Sequence, residues 1–313
     1  MSALSDNNAR SQVQHRAAAG FHLHMAYACL VFLLVAWFAC HRTSIQIHDP
    51  SNLTLGIVFA CAVVFTIAIF WHEKGKPDLR DSILTIPWVF LLAAALPLLV
   101  LAAARVNMPL QDAHLVHLDQ LFNVNVPGIM SWASHHWLGT LINRTYPLLN
   151  PLLIVSALLP AFLGKVKNAQ QFVVANLIAF AIGLPLFALL PAVGPWYGYA
   201  IPPTPDEMQC QAAILLFRGP GHLVSQLAAI ICFPSFHVIW AILCIAALWG
   251  FHLLRIPVAI FGTMIILSTL TTGWHYFVDV LGGIMIAAIS LFLAGYYTRK
   301  TKFECKRLEA PAP

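Results

Sequence analysis

Two histidines and one aspartate stand at the mouths of two apolar runs in the C-terminal third of the chain. In His275-Tyr276-Phe277-Val278-Asp279-Val280 a carboxylate follows an imidazole by four residues, and Asp279 is the only carboxylate between Glu207 and Glu304. Residues four apart share one helix face, with Cβ atoms about 5–6 Å apart. Asp279 is therefore predicted to hold and orient His275. A carboxylate at the start of an apolar run is costly unless it is paired or functional. Pro234-Ser235-Phe236-His237 brings a second histidine to the start of another apolar run. Ser235 reads as a helix cap there, with Pro234 preceding the first turn. The free N–H groups and positive end of such a helix favour an anion such as a phosphate, and His237 would stand beside it. Either half alone is commonplace, a capped helix or a histidine paired with an aspartate. Together they describe a nucleophile, an acid–base group and an anion site.

The elements that deliver these residues are legible in composition. The 313 residues are 60% hydrophobic and only 9% charged, with a mean hydropathy of +0.79. Soluble domains carry about 25% charged residues, so the expected fold is an all-α polytopic membrane bundle. A crossing takes about 20 largely apolar residues. Eight segments qualify: 25–40, 53–71, 83–104, 148–163, 172–190, 236–251, 256–273 and 276–297, with a six-helix catalytic core. Their continuous apolar runs exclude the alternation of a β-barrel. Residues 1–16 are polar, and the first apolar run lacks a small-residue cleavage site.

Basic residues orient the bundle. With the N-terminus inside, thirteen of the seventeen lysines and arginines fall on the cytoplasmic side, and Arg42, Arg105, Arg144 and Arg218 on the other. Both termini are then cytoplasmic, and His237, His275 and Asp279 share the extracytoplasmic face. The net charge of +5 follows from inside loops and the tail, which suits topology and anionic lipid rather than nucleic acid. The expected organisation is a cytoplasmic segment over 1–24, accessory helices over 25–104, a catalytic membrane domain over 105–297 and a basic tail over 298–313.

Two outer segments are long. Residues 105–147 carry Met130, Trp132, Trp137, Leu138, Leu141 and Ile142 among polar residues, a pattern that predicts one or two interfacial helices. Residues 191–233 are rich in proline and glycine, which predicts an irregular roof over the site. Within it, Trp196 could stack on a headgroup or anchor the interface, and Tyr197 could hydrogen-bond. Arg218 stands in the roof and Arg144 at the edge of the fourth span; each is a candidate phosphate clamp or a snorkelling side chain. The seven cysteines lack metal-ligand spacing. Cys210 and Cys232 share the outer side, where a disulfide between them could persist.

Pro-Ser-x-His followed by His-x-x-x-Asp, each opening an apolar helix, resembles the type 2 phosphatidic acid phosphatase superfamily over roughly residues 105–297. The run His-Tyr-x-x-Asp-Val-x-x-Gly, with Phe236 where many phosphatases have glycine, looks most like the inositol phosphorylceramide synthase branch. The resemblance implies a metal-independent, cofactor-free lipid phosphatase or phosphotransferase. In it His275 is the nucleophile that forms a phosphohistidine, Asp279 its partner and His237 the general acid–base; Ser235 and nearby N–H groups bind phosphate oxygens. It implies a lipid phosphate, phospholipid or sphingolipid substrate, with water, an alcohol or a polyol as acceptor. The usual Lys-x6-Arg-Pro element is absent, and Thr269 stands where an arginine often precedes the nucleophile, so charge neutralisation falls to Arg218 or Arg144. The competing reading is a membrane transporter using intramembrane His and Asp residues. It predicts polar groups at span midpoints and paired broken helices, whereas here the site residues cluster at one face and no inverted repeat is visible.

Overall fold

Apolar runs with no water to satisfy their backbone must fold as helices, and they do so here. A computed structural model describes residues 20–35, 37–38, 41, 46–47, 63–218, 223–224 and 231–309. The order is α1 (Gly20–Val35), α2 (Val63–Glu73), α3 (Pro77–Ile83), α4 (Ile86–Ala104), α5 (Asp112–Leu121), α6 (Val126–His135), α7 (Trp137–Asn143), a 3-10 turn (Tyr146–Leu148), α8 (Leu149–Phe162) and α9 (Val166–Leu189). Then come α10 (Pro195–Gly198), α11 (Pro205–Arg218), α12 (Phe236–Leu248), α13 (Arg255–Thr271) and α14 (Phe277–Glu309). A two-residue parallel pairing of Gln46–Ile47 with Leu223–Val224 is the only strand structure among the described residues.

Each of the eight expected spans coincides with an apolar helix. Four stretches are long and apolar enough to cross a membrane: Pro77–Ala104, Trp137–Phe162, Val166–Leu189 and Phe277–Arg299. The others, α1, α2, α12 and α13, are shorter apolar helices. Parts of the first two expected spans, residues 36, 39–40 and 53–62, lie outside the described residues. The chain is an integral membrane protein built as a helical bundle.

Helix α12 sits at the centre and packs against α8, α9, α13 and α14. Ile239, Ala241, Leu243 and Cys244 are fully enclosed. Where α12 meets α14, a Cβ on Gly283 would approach the Ser235 carbonyl to 2.8 Å and Val238 Cβ to 2.9 Å. Membrane helices associate through small residues that let backbones close up. Gly283 brings the starts of α12 and α14, and hence the site, together.

Both long loops depart from expectation. Residues 105–147 hold three short helices rather than one or two. Asn125 caps α6 by accepting from Gly128 N–H at 2.9 Å. His136 then takes an extended conformation (φ −119°, ψ 139°) that breaks α6 from α7. Residues 191–233 are not irregular throughout: α11 is a 14-residue helix. The signal lay in Thr204-Pro205-Asp206-Glu207. Thr204 N–H donates to Glu207 Oε2 at 2.6 Å, and Glu207 N–H donates to Thr204 Oγ1 at 3.3 Å, a capping box. No proline or glycine interrupts residues 206–217. Residues 219–222 and 225–230 of the expected roof, His222 among them, lie outside the described residues.

Candidate active site

Ser235 is the N-cap of α12, and its hydroxyl accepts from Val238 N–H at 3.4 Å. That places His237 in the first turn. The Ser235 N–H donates to the Asp279 carbonyl at 3.2 Å, joining the start of α12 to the start of α14. His275 lies just ahead of α14 rather than within it. Its pairing with Asp279 thus comes from a capping turn, not from a helix face as predicted. Tyr276 N–H donates to Asp279 Oδ2 at 2.8 Å, which folds the carboxylate back toward the histidine. Asp279 Oδ2 is 3.4 Å from His275 Nδ1, and the Cys232 carbonyl is 2.9 Å from the same nitrogen. A carbonyl has no hydrogen to give, so Nδ1 is the donor and Nε2 keeps the lone pair. Burial lowers the His275 pKa to about 4, opposed only in part by the bond to the Cys232 carbonyl. The ring is neutral at physiological pH.

The His237 and His275 ring centroids are 5.9 Å apart, at 55°. Tyr146 stacks on His237 at 4.1 Å and 15°. Both histidines open into a cavity of about 650 Å³ whose lining includes Trp196, Trp240, Trp274, Tyr146, Asp206 and Gln209. Cavities of this size hold small-molecule ligands. No lysine or arginine is among its lining residues.

Two further carboxylates, absent from the sequence-based candidates, brace the loop that carries His275. Asp119 of α5 accepts from Phe277 N–H at 3.1 Å, Val278 N–H at 3.0 Å and the Tyr199 hydroxyl at 3.2 Å. It thereby satisfies free N–H groups in the first turn of α14. Burial pushes its carboxyl pKa up, against the pull of those donors. Asp112 accepts from Val193 and Gly194 N–H, each at 3.0 Å to Oδ1, and Tyr276 Oη lies 2.9 Å from the same oxygen. Gly194 has φ 151°, a region that favours glycine, and a Cβ there would run into the Trp196 ring. Asp112 and Asp119 are seven residues apart, two turns on one helix face. That spacing was the available signal.

The other predicted site residues scatter. Trp196 is buried, lines the cavity, meets Trp274 edge-on at 5.3 Å and donates through Nε1 to Gln211 Oε1 at 3.2 Å. Tyr197 is 45% exposed and off the cavity wall. Arg218 donates to the Met108 carbonyl, and Arg144 is an exposed C-cap of α7; neither lines the cavity. Ser235 is fully buried and committed to capping. Cys210 and Cys232 are free thiols rather than a disulfide. The Cys232 thiol instead donates to Asp279 Oδ2 at 3.2 Å.

Candidate metal ligands on Cys232, His275 and Asp279 lie within 4.8 Å of one another. Their bonding argues for a hydrogen-bond network instead. Nδ1 turns an N–H toward the Cys232 carbonyl, and the thiol hydrogen is engaged by Asp279, so a metal would have to displace both. Asp279 Oδ1 is buried without a protein hydrogen-bond partner. An unsatisfied buried group costs about 1–3 kcal/mol, a cost commonly found at functional sites.

In this helical membrane bundle two imidazoles line one cavity, and one of them is paired behind it with a buried carboxylate, the groups that a membrane-embedded catalyst would need. A family model described as PAP2 superfamily matches residues 113–293, more than half of the chain. The chain belongs to the PAP2 superfamily, whose membership supports a phosphatase-type enzyme acting on lipid phosphates in membranes. No curated protein and no solved structure gives a significant match.

Proposed function

We propose that this protein is a metal-independent lipid phosphotransferase or phosphatase working through a phosphohistidine on His275, at the extracytoplasmic face of the membrane. The observation that carries the reading is the Nδ1–H of His275 held by a carbonyl, which leaves the lone pair on Nε2 of a ring that lines the same cavity as His237. Nε2 attacks phosphorus, the P–N bond forms and the P–O bond to the leaving alcohol breaks, while His237 gives that oxygen its proton. Asp279 stabilises the positive charge that develops on the His275 ring. In the second half His237 takes the proton of the acceptor, whose oxygen attacks phosphorus as the P–N bond breaks. Water as acceptor gives hydrolysis; an alcohol or polyol gives transfer.

One observation favours transfer from a phosphodiester, as in the inositol phosphorylceramide synthase branch, with a phospholipid or sphingolipid as substrate. A dianionic phosphomonoester depends on cations around its oxygens, and the cavity wall has none among the described residues. Residues 219–230 of the roof contain no lysine or arginine either. A monoanionic diester asks less of such a site. The deciding experiment offers purified enzyme a panel of lipid phosphates and diester lipids, with and without alcohol acceptors, and identifies products. His275→Ala is expected to abolish turnover on every productive substrate while the protein stays folded. Retained turnover would remove His275 as nucleophile.

A further inference from the structure

The active-site cavity has a wall that the family match does not reach. Helix α4, outside the matched residues 113–293, contributes Leu96, Pro97, Val100 and Leu101 to the cavity that His237 and His275 line. Leu96 with Val100, and Pro97 with Leu101, are each four residues apart, so the four side chains form two adjacent rows on one helix face. Val100 and Leu101 are buried, and α4 packs against α8, α9 and α11. The C-terminal part of this face is therefore covered by the bundle, while Leu96 and Pro97 are half-buried where it meets the cavity. Among the polar lining residues, Asp206 and Gln209 come from α11 and Asn150 from α8.

We propose that this face of α4 is a subsite for a hydrocarbon chain of the substrate lipid, and that Leu96 and Val100 govern which chains are accepted. The proposal rests on the lipid reading above. A chain leaving the bilayer gains little from the hydrophobic effect, because lipid tails are as apolar as leucine. Selection must then come from fit, so the size of the side chains on α4 decides it.

The test uses a series of substrates with one headgroup and rising chain length, in mixed micelles at fixed surface concentration, alongside a short-chain water-soluble phosphate ester. Leu96→Trp is expected to lower kcat/KM for long chains by about tenfold or more through overpacking. Turnover of the short ester should stay within about twofold, which also reports intact folding. Leu96→Ala, which enlarges the wall, is expected to shift preference toward longer chains. Ile260→Trp, on the exposed face of α13 and off the cavity wall, should keep the wild-type profile. An unchanged long-to-short ratio in both Leu96 variants, with turnover intact, overturns the subsite and leaves the proposed function standing. Equal loss at all lengths in Leu96→Trp, with no shift in Leu96→Ala, overturns it as well. If the wild type turns over no member of the series, the functional reading falls and the subsite falls with it.

Discussion

At the scale of single residues, the proposed chemistry turns on the tautomer of His275. The Cys232 carbonyl fixes the hydrogen on Nδ1, and burial keeps the ring unprotonated down to a pKa of about 4. A lowered histidine pKa means that the neutral, nucleophilic form persists above that value and is lost as pH falls through it. The acid limb of kcat/KM is thus expected near pH 4, well below the unperturbed histidine value of about 6.5. A limb close to 6.5 in the pH–rate profile would contradict the buried nucleophile. That His237, His275 and Asp279 come together was readable in the sequence, because their types and positions were rare: two histidines and one carboxylate at helix mouths in an apolar chain. Cys232 and Tyr146 were not readable. One acts through a backbone carbonyl and the other through a ring stacked on His237, 91 residues away, and neither contact leaves a local pattern.

Elements position that chemistry, and α5 is the decisive one. Its two carboxylates hold the turn before α14 and the loop carrying Trp196, so we assign Asp119 and Asp112 as positioning residues. Asp119→Asn leaves one acceptor oxygen where two backbone N–H groups and a hydroxyl converge. Losing hydrogen bonds to a charged group costs about 1.5–3 kcal/mol, so kcat is expected to fall by roughly ten- to a hundredfold. KM should change little, since the cavity wall is untouched. A rise in KM at constant kcat would make Asp119 a binding residue instead. The sequence signalled helices best where apolar runs were long. It misled where composition outweighed capping: residues 191–233 looked irregular by proline and glycine content, yet one reciprocal cap between Thr204 and Glu207 is enough to start α11. In residues 105–147 the polar interruptions hid the breaks between α5, α6 and α7, which are set by single residues such as Asn125 and His136.

For the whole molecule, a mean hydropathy of +0.79 and eight apolar helical stretches among the described residues put the site within a membrane protein. The proposed reaction needs only side chains, so turnover in purified enzyme is expected to survive EDTA; abolition by the chelator and rescue by a divalent ion would require a different mechanism. The arrangement of α12 and α14 has a bearing on how the enzyme tolerates its surroundings. The hydrogen bond from Ser235 N–H to the Asp279 carbonyl runs from main chain to main chain, and Gly283 allows the two backbones their closeness. Side-chain replacement at position 235 leaves that tie intact, proline excepted, because only proline lacks the donor. Stretching or thinning of the surrounding bilayer is therefore expected to tilt outlying helices before it separates the two imidazoles, whose backbones are tied to each other.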